Sequence, residues 1–294
     1  MAAPLFIAGA TATGKSAVAM EIAREVGGEI ISVDSMQVYC GMDIGTAKPS
    51  RRERAEVPHH LIDIKKITET FDAATFVEAA DEAVGKMETP IFCGGTGLYF
   101  QAWQEGLGTA PGADQKMRKE LEANETSELV AELREKDEAT YREIDRQNKR
   151  RLVRAVEVLR QTGKPFSAQR ANWTGKVPPN FFLIQREPED LRSRINERVE
   201  GMFAQGLVEE TRAILPELGK NKTAQQALGY KQVIEHEKGE RDLPETLALV
   251  KSRTWQFARR QQTWFRKMEG TIPIGVFREE KPAHTARRIL ESIR

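Results

Sequence analysis

Residues 5–16 read Leu-Phe-Ile-Ala-Gly-Ala-Thr-Ala-Thr-Gly-Lys-Ser. The last eight of them fit the pattern G-x-x-x-x-G-K-[ST] of a phosphate-binding loop. An apolar run, Leu5–Ala8, precedes the loop, and a segment with helical spacing, Lys15–Val26, follows it. In this pattern backbone N–H groups close on phosphate oxygens, the lysine supplies a positive charge, and the serine hydroxyl ligates Mg²⁺. The stretch therefore predicts an α/β protein that binds phosphate at a helix N-terminus.

The composition excludes several classes of protein. The chain has 294 residues, 45 basic and 44 acidic side chains, and two cysteines, Cys40 and Cys93. Two cysteines cannot build a disulfide framework or a four-cysteine zinc site, so we expect no zinc. No stretch approaches the roughly 18 uncharged apolar residues of a membrane helix, and the first residues lack the basic region of a signal peptide. We therefore expect a cytoplasmic protein with no membrane span.

Apolar runs typical of buried strands alternate with helical segments outside the middle of the chain. The expected strands are Leu5–Ala8, Glu29–Val33, Leu61–Ile64, Pro90–Cys93, Phe181–Ile184 and Ile272–Phe277. The expected helices outside the middle of the chain are Lys15–Val26, Phe71–Met87, Asp190–Ala204, Leu243–Met268 and His284–Ile293. This alternation predicts a parallel sheet flanked by helices. Residues 113–178 show only helical periodicity and high charge, so we expect a helical insertion there, between two parts of a P-loop core at residues 1–112 and 179–294.

Two further positions at strand ends carry polar groups that chemistry could use. Asp34 follows the second strand, where a carboxylate would face the phosphate-binding crevice and serve as a general base or an orienting acceptor. The alternative is a turn or helix cap, since Ser35 follows it. Thr96, in the turn Gly94-Gly95-Thr96-Gly97, could make a second anion contact. This signal is weak by itself, because strand-to-helix turns need glycine anyway.

Basic residues are concentrated in two segments although the net charge is only +1. Residues 142–176 carry ten basic and three acidic side chains, and residues 251–267 carry six basic and no acidic ones. Such clusters are typical of a polyanion site, or of a solvated helix face. On the helix from Leu243, we expect a phosphate-tracking stripe and a separate apolar face. The stripe comprises Arg253, Arg260 and Lys267, and the apolar face Leu247, Val250, Phe257, Trp264 and Met268. Phe166 and Trp173 could stack on bases but are interpreted as core.

The chain resembles the bacterial tRNA dimethylallyltransferases, also called tRNA isopentenyltransferases. The resemblance is carried by Gly9–Ser16, Asp34–Tyr39, Gly41–Pro49, Pro58–Asp63, Gly94–Phe100, Leu228–Gln232 and Gln261–Arg266. These segments follow one another over nearly the whole chain. The resemblance implies transfer of a dimethylallyl group from its diphosphate to N6 of the adenosine on the 3′ side of the tRNA anticodon. It also implies Mg²⁺ as the cofactor that assists the departure of pyrophosphate.

The same resemblance implies roles for individual residues. Asp34 matches the carboxylate that binds the attacking amine and acts as base, Thr96 a threonine near the reacting centre, and Arg118 a further contact with tRNA and diphosphate. The diphosphate cradle comprises Gly9, Ala10, Thr11, Ala12, Thr13, Gly14, Lys15 and Ser16, with Ser16 as the metal ligand. The residues expected at the tRNA anticodon stem-loop are Asp34, Ser35, Met36, Gln37, Arg150, Arg151, Arg154, Gly229, Tyr230, Lys231, Arg253 and Arg260. The helical insertion resembles the domain that clasps this stem-loop.

Other functions remain open at this stage. A P-loop kinase acting on a nucleoside or another small molecule shares the phosphate loop and the acid after the second strand, but it leaves the basic segments unexplained. A non-enzymatic RNA-binding protein leaves Lys15, Ser16 and Asp34 unexplained. A prenyl transferase acting on free adenine nucleotides needs no anticodon clasp, so a shorter insertion would be expected. We expect a monomer, and we expect the phosphate loop to bind ATP.

Overall fold

Six short strands form one sheet in the computed structural model, which describes residues 3–293. The strands are β1 (Leu5–Gly9), β2 (Glu29–Val33), β3 (His59–His60), β4 (Pro90–Gly94), β5 (Phe181–Gln185) and β6 (Ile272–Gly275). Their order in the sheet is β3-β2-β4-β1-β5-β6, and all neighbouring pairs are parallel. The predicted parallel α/β sheet is thus confirmed. In a parallel sheet all strand carboxyl ends lie on one edge, so the loops that follow β2, β4, β1 and β5 are neighbours there.

The helices of the described residues have the following bounds. They are α1 (Lys15–Val26), α2 (Arg51–Glu56), α3 (Ala73–Val84), α4 (Gly97–Glu105), α5 (Gln115–Ala123), α6 (Thr126–Lys136), α7 (Glu138–Glu143), α8 (Lys149–Thr162), α9 (Pro188–Ala204), α10 (Leu207–Leu218), α11 (Tyr230–Glu237), α12 (Leu243–Phe265) and α13 (Pro282–Ser292). Two short 3₁₀ helices cover Phe166–Ala168 and Ala224–Gln226. Between residues 3 and 293, no helix has the length and apolar character needed to cross a membrane.

The sheet is buried on both faces, as is usual for parallel strands. On one face the ring of Phe6 stacks between those of Phe92 and Phe181, at centroid distances of 5.2 and 5.6 Å. On the other face Ile7 and Phe182 belong to a separate apolar cluster, which also includes residues of α1 and α13. Because side chains alternate between the faces of a strand, β1 needs apolar residues at successive positions. This core gives the loops at the carboxyl edge a fixed base.

The expected strand Leu61–Ile64 is wrong. β3 comprises only His59 and His60, and the chain turns immediately after them. Leu61 and Asp63 both have positive φ angles, of 62° and 55°, which an extended strand does not allow. The Asp63 carboxylate accepts hydrogen bonds from Lys48 and Arg54, and these ion pairs hold the turn. The apolar run was therefore a buried turn and not a strand.

The predicted apolar face of α12 is wrong at one position. The buried residues of the helix are Thr246, Val250, Thr254, Ala258, Gln261 and Phe265. Phe257 is 39% exposed, because it comes four residues after Arg253 and three before Arg260 and so shares their side of the helix. The Arg260 guanidinium lies 5.7 Å from the centre of its ring. The exposed face of α12 therefore combines basic side chains with one aromatic ring.

A second compact unit covers Glu105–Thr174 and contains helices α5 to α8. Its own core is formed by leucines and valines of these helices, with Leu121, Leu133 and Val156 fully buried. The unit begins and ends earlier than the predicted insertion at residues 113–178. The two ends of this unit are joined, because the Gly106 carbonyl accepts a hydrogen bond from the Trp173 indole at 2.8 Å. Residues 175–176 instead pair with Glu269, in the α/β unit.

Candidate functional site

The phosphate loop connects β1 to α1 in a compact conformation. Ala12 and Gly14 have left-handed backbone angles, with φ of 64° and 92°. The Thr13 hydroxyl and the Lys15 ammonium both donate to the Ala10 carbonyl, at 2.9 and 3.2 Å. The first turn of α1 has no acidic residue, and its N-cap makes no side-chain hydrogen bond. The free N–H groups and the positive end of the helix dipole are therefore available to an anion.

Three side chains from distant parts of the chain hold this loop. The Arg194 and Arg186 guanidinium groups donate to the carbonyls of Ala12 and Thr13, at 2.9 and 2.8 Å. The Gln261 side chain accepts a hydrogen bond from the Thr11 N–H at 2.8 Å. Because side chains outside the loop hydrogen-bond to three of its backbone groups, the loop is preorganised for an anion.

A cavity of about 380 Å³ opens beside the loop. It is lined by Ala12, Gly14, Lys15, Ser16, Arg194, Glu197 and Arg198. Three cationic side chains face one carboxylate, so the cavity has a net positive lining. Its size and positive charge suit a phosphate-containing ligand such as a diphosphate.

The charged groups around this cavity influence one another. Burial lowers the pKa of Lys15, and the neighbouring Arg198 lowers it further, whereas Asp34 opposes the shift. Burial also lowers the pKa of Arg198, again opposed by Asp34. Asp34 is thus near enough to both cations to stabilise their charged forms. The structure brings the predicted carboxylate and the predicted phosphate loop into one electrostatic site.

Asp34 lies in the loop directly after β2 and is half-buried. Its Oδ1 atom accepts hydrogen bonds from the backbone N–H groups of Met36 and Gln37, at 2.8 and 3.2 Å. This is the capping geometry that the sequence left as an alternative, but it uses only one carboxylate oxygen. Within the described residues Oδ2 has no hydrogen-bond partner and can accept a proton from a substrate. Asp34 therefore combines the capping role with the potential of a general base.

The segment after Asp34 is braced by a buried network. Gln37 donates to the Thr46 carbonyl at 3.2 Å and accepts from the Ser32 hydroxyl at 2.8 Å. The Glu210 carboxylate accepts from the Ile44 N–H at 2.9 Å and from the Tyr230 hydroxyl at 2.6 Å. These contacts fix residues 34–47 against α10 and α11.

This network changes the interpretation of two residues predicted at the tRNA. Tyr230 is fully buried, and the neighbouring Gly229 is buried as well. Tyr230 therefore supports the loop from inside, a structural role that replaces the RNA contact predicted for this pair. Lys231 is half-buried and donates to Gln226 at 3.0 Å.

The other predicted residues are distributed over both compact units. Thr96 lies in the loop after β4, next to the phosphate loop, and its N–H donates to the Val33 carbonyl at 3.2 Å. In the unit Glu105–Thr174, Arg118 and Arg154 share the fully buried Glu157 carboxylate, at 2.9 and 2.8 Å. The remaining arginines are exposed: Arg150 and Arg151 on α8, and Arg253 and Arg260 on α12. Ser35, Met36 and Gln37 are half-buried beside Asp34.

Sequence reasoning missed five residues of the site: Arg186, Arg194, Glu197, Arg198 and Gln261. Arg194 and Arg198 stand four residues apart on α9, a spacing that places them on one helix face. That spacing was a signal, but charged residues on a surface helix are common enough to hide it. Gln261 begins one of the segments that carry the family resemblance, and no role was assigned to it.

The residues around Ser16 fit a magnesium ion. Ser16 and Glu197 both line the cavity and offer oxygen atoms, the donor type that Mg²⁺ prefers. Among residues 3–293, no group of three His, Cys, Asp or Glu side chains is arranged to hold a metal. An ion held here by Ser16 and Glu197 would take its other ligands from phosphate and water, as Mg²⁺ commonly does. His59 and His60 are structural, and hydrogen-bond to Val57 and Glu29.

The two cysteines should differ sharply in reactivity. Cys93 is buried behind the phosphate loop, and burial raises the pKa of its thiol to about 11, opposed in part by Lys15 and Ser16. Cys40 is exposed. Because the thiolate is the reactive form, iodoacetamide at about pH 8 should alkylate Cys40 and leave Cys93 unmodified in the folded protein. Peptide mass spectrometry measures this, with labelling in concentrated urea as the control. Equal labelling of both cysteines in the folded state would contradict the burial of Cys93.

A parallel sheet with a phosphate loop after its first strand, a cationic cavity beside the loop and a carboxylate after the second strand define a P-loop α/β protein with a diphosphate-sized site. The IPP transferase family model matches residues 37–268. The chain is 42% identical to tRNA dimethylallyltransferase 1 of Trichlorobacter lovleyi over 89% of this chain and 90% of that protein. It is 43% identical to tRNA dimethylallyltransferase of Geobacter metallireducens over 90% and 89%. The chain belongs to the IPP transferase family.

A solved structure supports the same assignment. The full-length tRNA isopentenylpyrophosphate transferase of Bacillus halodurans superimposes with a TM-score of 0.71 at 33% sequence identity. The match covers 99% of this chain and 96% of that one. The similarity therefore extends through both compact units as well as the phosphate loop.

Proposed function

We propose that this chain transfers a dimethylallyl group from dimethylallyl diphosphate to N6 of the adenosine on the 3′ side of the anticodon in tRNA. The observation that carries the proposal is the position of Asp34 directly after β2, on the same edge of the parallel sheet as the phosphate loop and its cationic cavity. Relatives at 42–43% identity bear the name tRNA dimethylallyltransferase. The carboxylate provides a base for the attacking amine, and the cations of the cavity stabilise the leaving group.

The residues have distinct tasks in this reaction. The exocyclic amine is a weak nucleophile, and the Asp34 carboxylate accepts its proton as the bond from nitrogen to the allylic carbon forms. The bond from that carbon to the diphosphate oxygen breaks, and negative charge develops on pyrophosphate. Lys15, Arg198 and the N-terminus of α1 stabilise that charge. Mg²⁺, held at Ser16 together with the diphosphate, supplies additional positive charge when bound.

The RNA is bound by the exposed arginines. Arg253 and Arg260 present a basic stripe on α12, and Arg150 and Arg151 are exposed on α8. Such contacts to phosphate position an RNA without reading its sequence. We assign them, with Arg118 and Arg154, to the anticodon stem-loop, whose target base must leave its stack to reach the cavity. We also propose a cytoplasmic monomer whose phosphate loop binds ATP.

The deciding experiment measures transfer from radiolabelled dimethylallyl diphosphate into unmodified tRNA with Mg²⁺. We expect label in the RNA, and none when the tRNA carries another base at the target position. A parallel reaction with ATP labelled in its γ-phosphate and a set of nucleosides tests the kinase alternative. Phosphorylation of a nucleoside without prenylation of any tRNA would overturn the proposal.

A further inference from the structure

We propose that Gln261 is a positioning residue that holds the phosphate loop and the turn Gly94–Gly97 in one fixed arrangement, a role that rests on the function proposed above. Gln261 lies on α12 and is only 8% exposed. Its Oε1 atom accepts a hydrogen bond from the Thr11 N–H at 2.8 Å, and its Nε2 atom donates to the Gly95 carbonyl at 2.9 Å. A single planar amide thus joins the loops that follow β1 and β4.

The close fit of the turn against α12 supports this role independently. A Cβ atom at Gly95 would collide with the Gln261 amide nitrogen, and one at Gly97 would collide with the Trp264 ring. The absence of side chains at both glycines therefore permits the approach of α12. The amide has both a donor and an acceptor, and both are used. Replacing it with an apolar group leaves the partly buried Thr11 N–H and the buried Gly95 carbonyl without these partners, which is costly.

The position of each end determines what Gln261 controls. Its acceptor end fixes the backbone of Thr11, directly before the left-handed residue Ala12, and so sets how residues 12–16 meet the diphosphate. Its donor end fixes Gly95, the neighbour of Thr96. An adjacent, exposed side of the same helix carries Arg253 and Arg260. We infer that α12 acts as a rigid frame between the basic surface and both loops, with Gln261 as its contact to them.

The test compares Gln261→Met with Gln262→Met on the same helix. Methionine has a volume close to that of glutamine and removes both hydrogen bonds. Gln262 is half-buried, and within the described residues its side chain makes no hydrogen bond, so it is a matched control. We expect Gln261→Met to weaken binding of inorganic pyrophosphate with Mg²⁺ about tenfold. We also expect it to slow single-turnover transfer at saturating donor about tenfold, whereas Gln262→Met should change either quantity less than about twofold.

Hydrogen exchange gives a readout that does not depend on transfer. In Gln261→Met, the Thr11 amide should exchange faster, while amides in the middle of α12 keep their protection. A folded variant with pyrophosphate affinity, transfer rate and Thr11 exchange all like those of the unaltered protein would overturn the proposal. If Gln261→Met fails to fold, Gln261→Asn is used, because its shorter amide cannot span both loops. If the unaltered protein transfers no dimethylallyl group, the proposed function fails, and pyrophosphate affinity and exchange still decide the role of Gln261.

Discussion

Asp34→Asn is expected to lower the single-turnover rate of dimethylallyl transfer about a thousandfold, within the range of a lost general base. Asparagine keeps an oxygen that can accept from the N–H groups of Met36 and Gln37, so the loop geometry is preserved. What is lost is the negative charge and the ability of Oδ2 to take the amine proton. The rate is measured with donor and tRNA both saturating, so that weakened binding cannot account for the change.

A second substitution separates chemistry from structure at the same position. Asp34→Ala removes the cap as well as the charge, so it should also weaken tRNA binding and lower thermal stability. For Asp34→Asn we expect tRNA affinity within about threefold of the unaltered protein, because the contacts of Ser35 and Gln37 persist. A rate for Asp34→Asn within tenfold of the unaltered protein would remove Asp34 as the base and leave it as a cap.

Most of the fold could be predicted because it depends on local signals. The apolar runs of β1, β2, β4 and β5 are buried on both faces. Such a run indicates a buried strand even when its neighbours in the sheet are unknown. Glycine marked the ends of β1 and β4, and polar residues, Asp34 and Gln185, marked the ends of the apolar runs of β2 and β5. The prediction of a strand at Leu61–Ile64 failed because these residues form a turn, which is held by the ion pairs of Asp63 with Lys48 and Arg54. These ion pairs join residues 15 and 9 positions apart, beyond the spacing of a single strand or turn pattern.

The site divides in the same way between local and non-local features. The phosphate loop and Asp34 are local: each follows a strand whose position in the sheet can be anticipated. Arg194 and Gln261 belong to the site only because α9 and α12 pack beside the carboxyl edge of the sheet. Tyr230 shows the reverse case, since the family resemblance placed it at the tRNA, whereas it is fully buried and donates a hydrogen bond to Glu210. Which face of a helix meets the sheet is decided by tertiary packing, and the mixed polarity of α12 left that choice open.

Arg198→Met is expected to lower the ratio kcat/KM for dimethylallyl diphosphate a hundredfold or more. The guanidinium lines the cavity with Lys15, and burial lowers its pKa while Asp34 opposes that shift. A cation partly removed from water interacts strongly with a diphosphate, and more strongly as charge develops during departure. The loss should therefore affect both the affinity for pyrophosphate and the rate at saturating donor. Steady-state kinetics and equilibrium binding of pyrophosphate measure the two contributions.

Arg192→Met provides the matched control, because it removes the same charge from the same helix. Arg192 is exposed, and its guanidinium lies 6.0 Å from the centre of the Trp255 ring, away from the residues that line the cavity. Solvent and salt screen such a charge, so its loss should change kcat/KM less than about threefold. Equal effects of the two substitutions would mean that overall charge, and not the cavity, sets donor affinity. A large loss confined to Arg198→Met, with tRNA affinity retained, would show that α9 supplies the leaving group with a cation outside the phosphate loop.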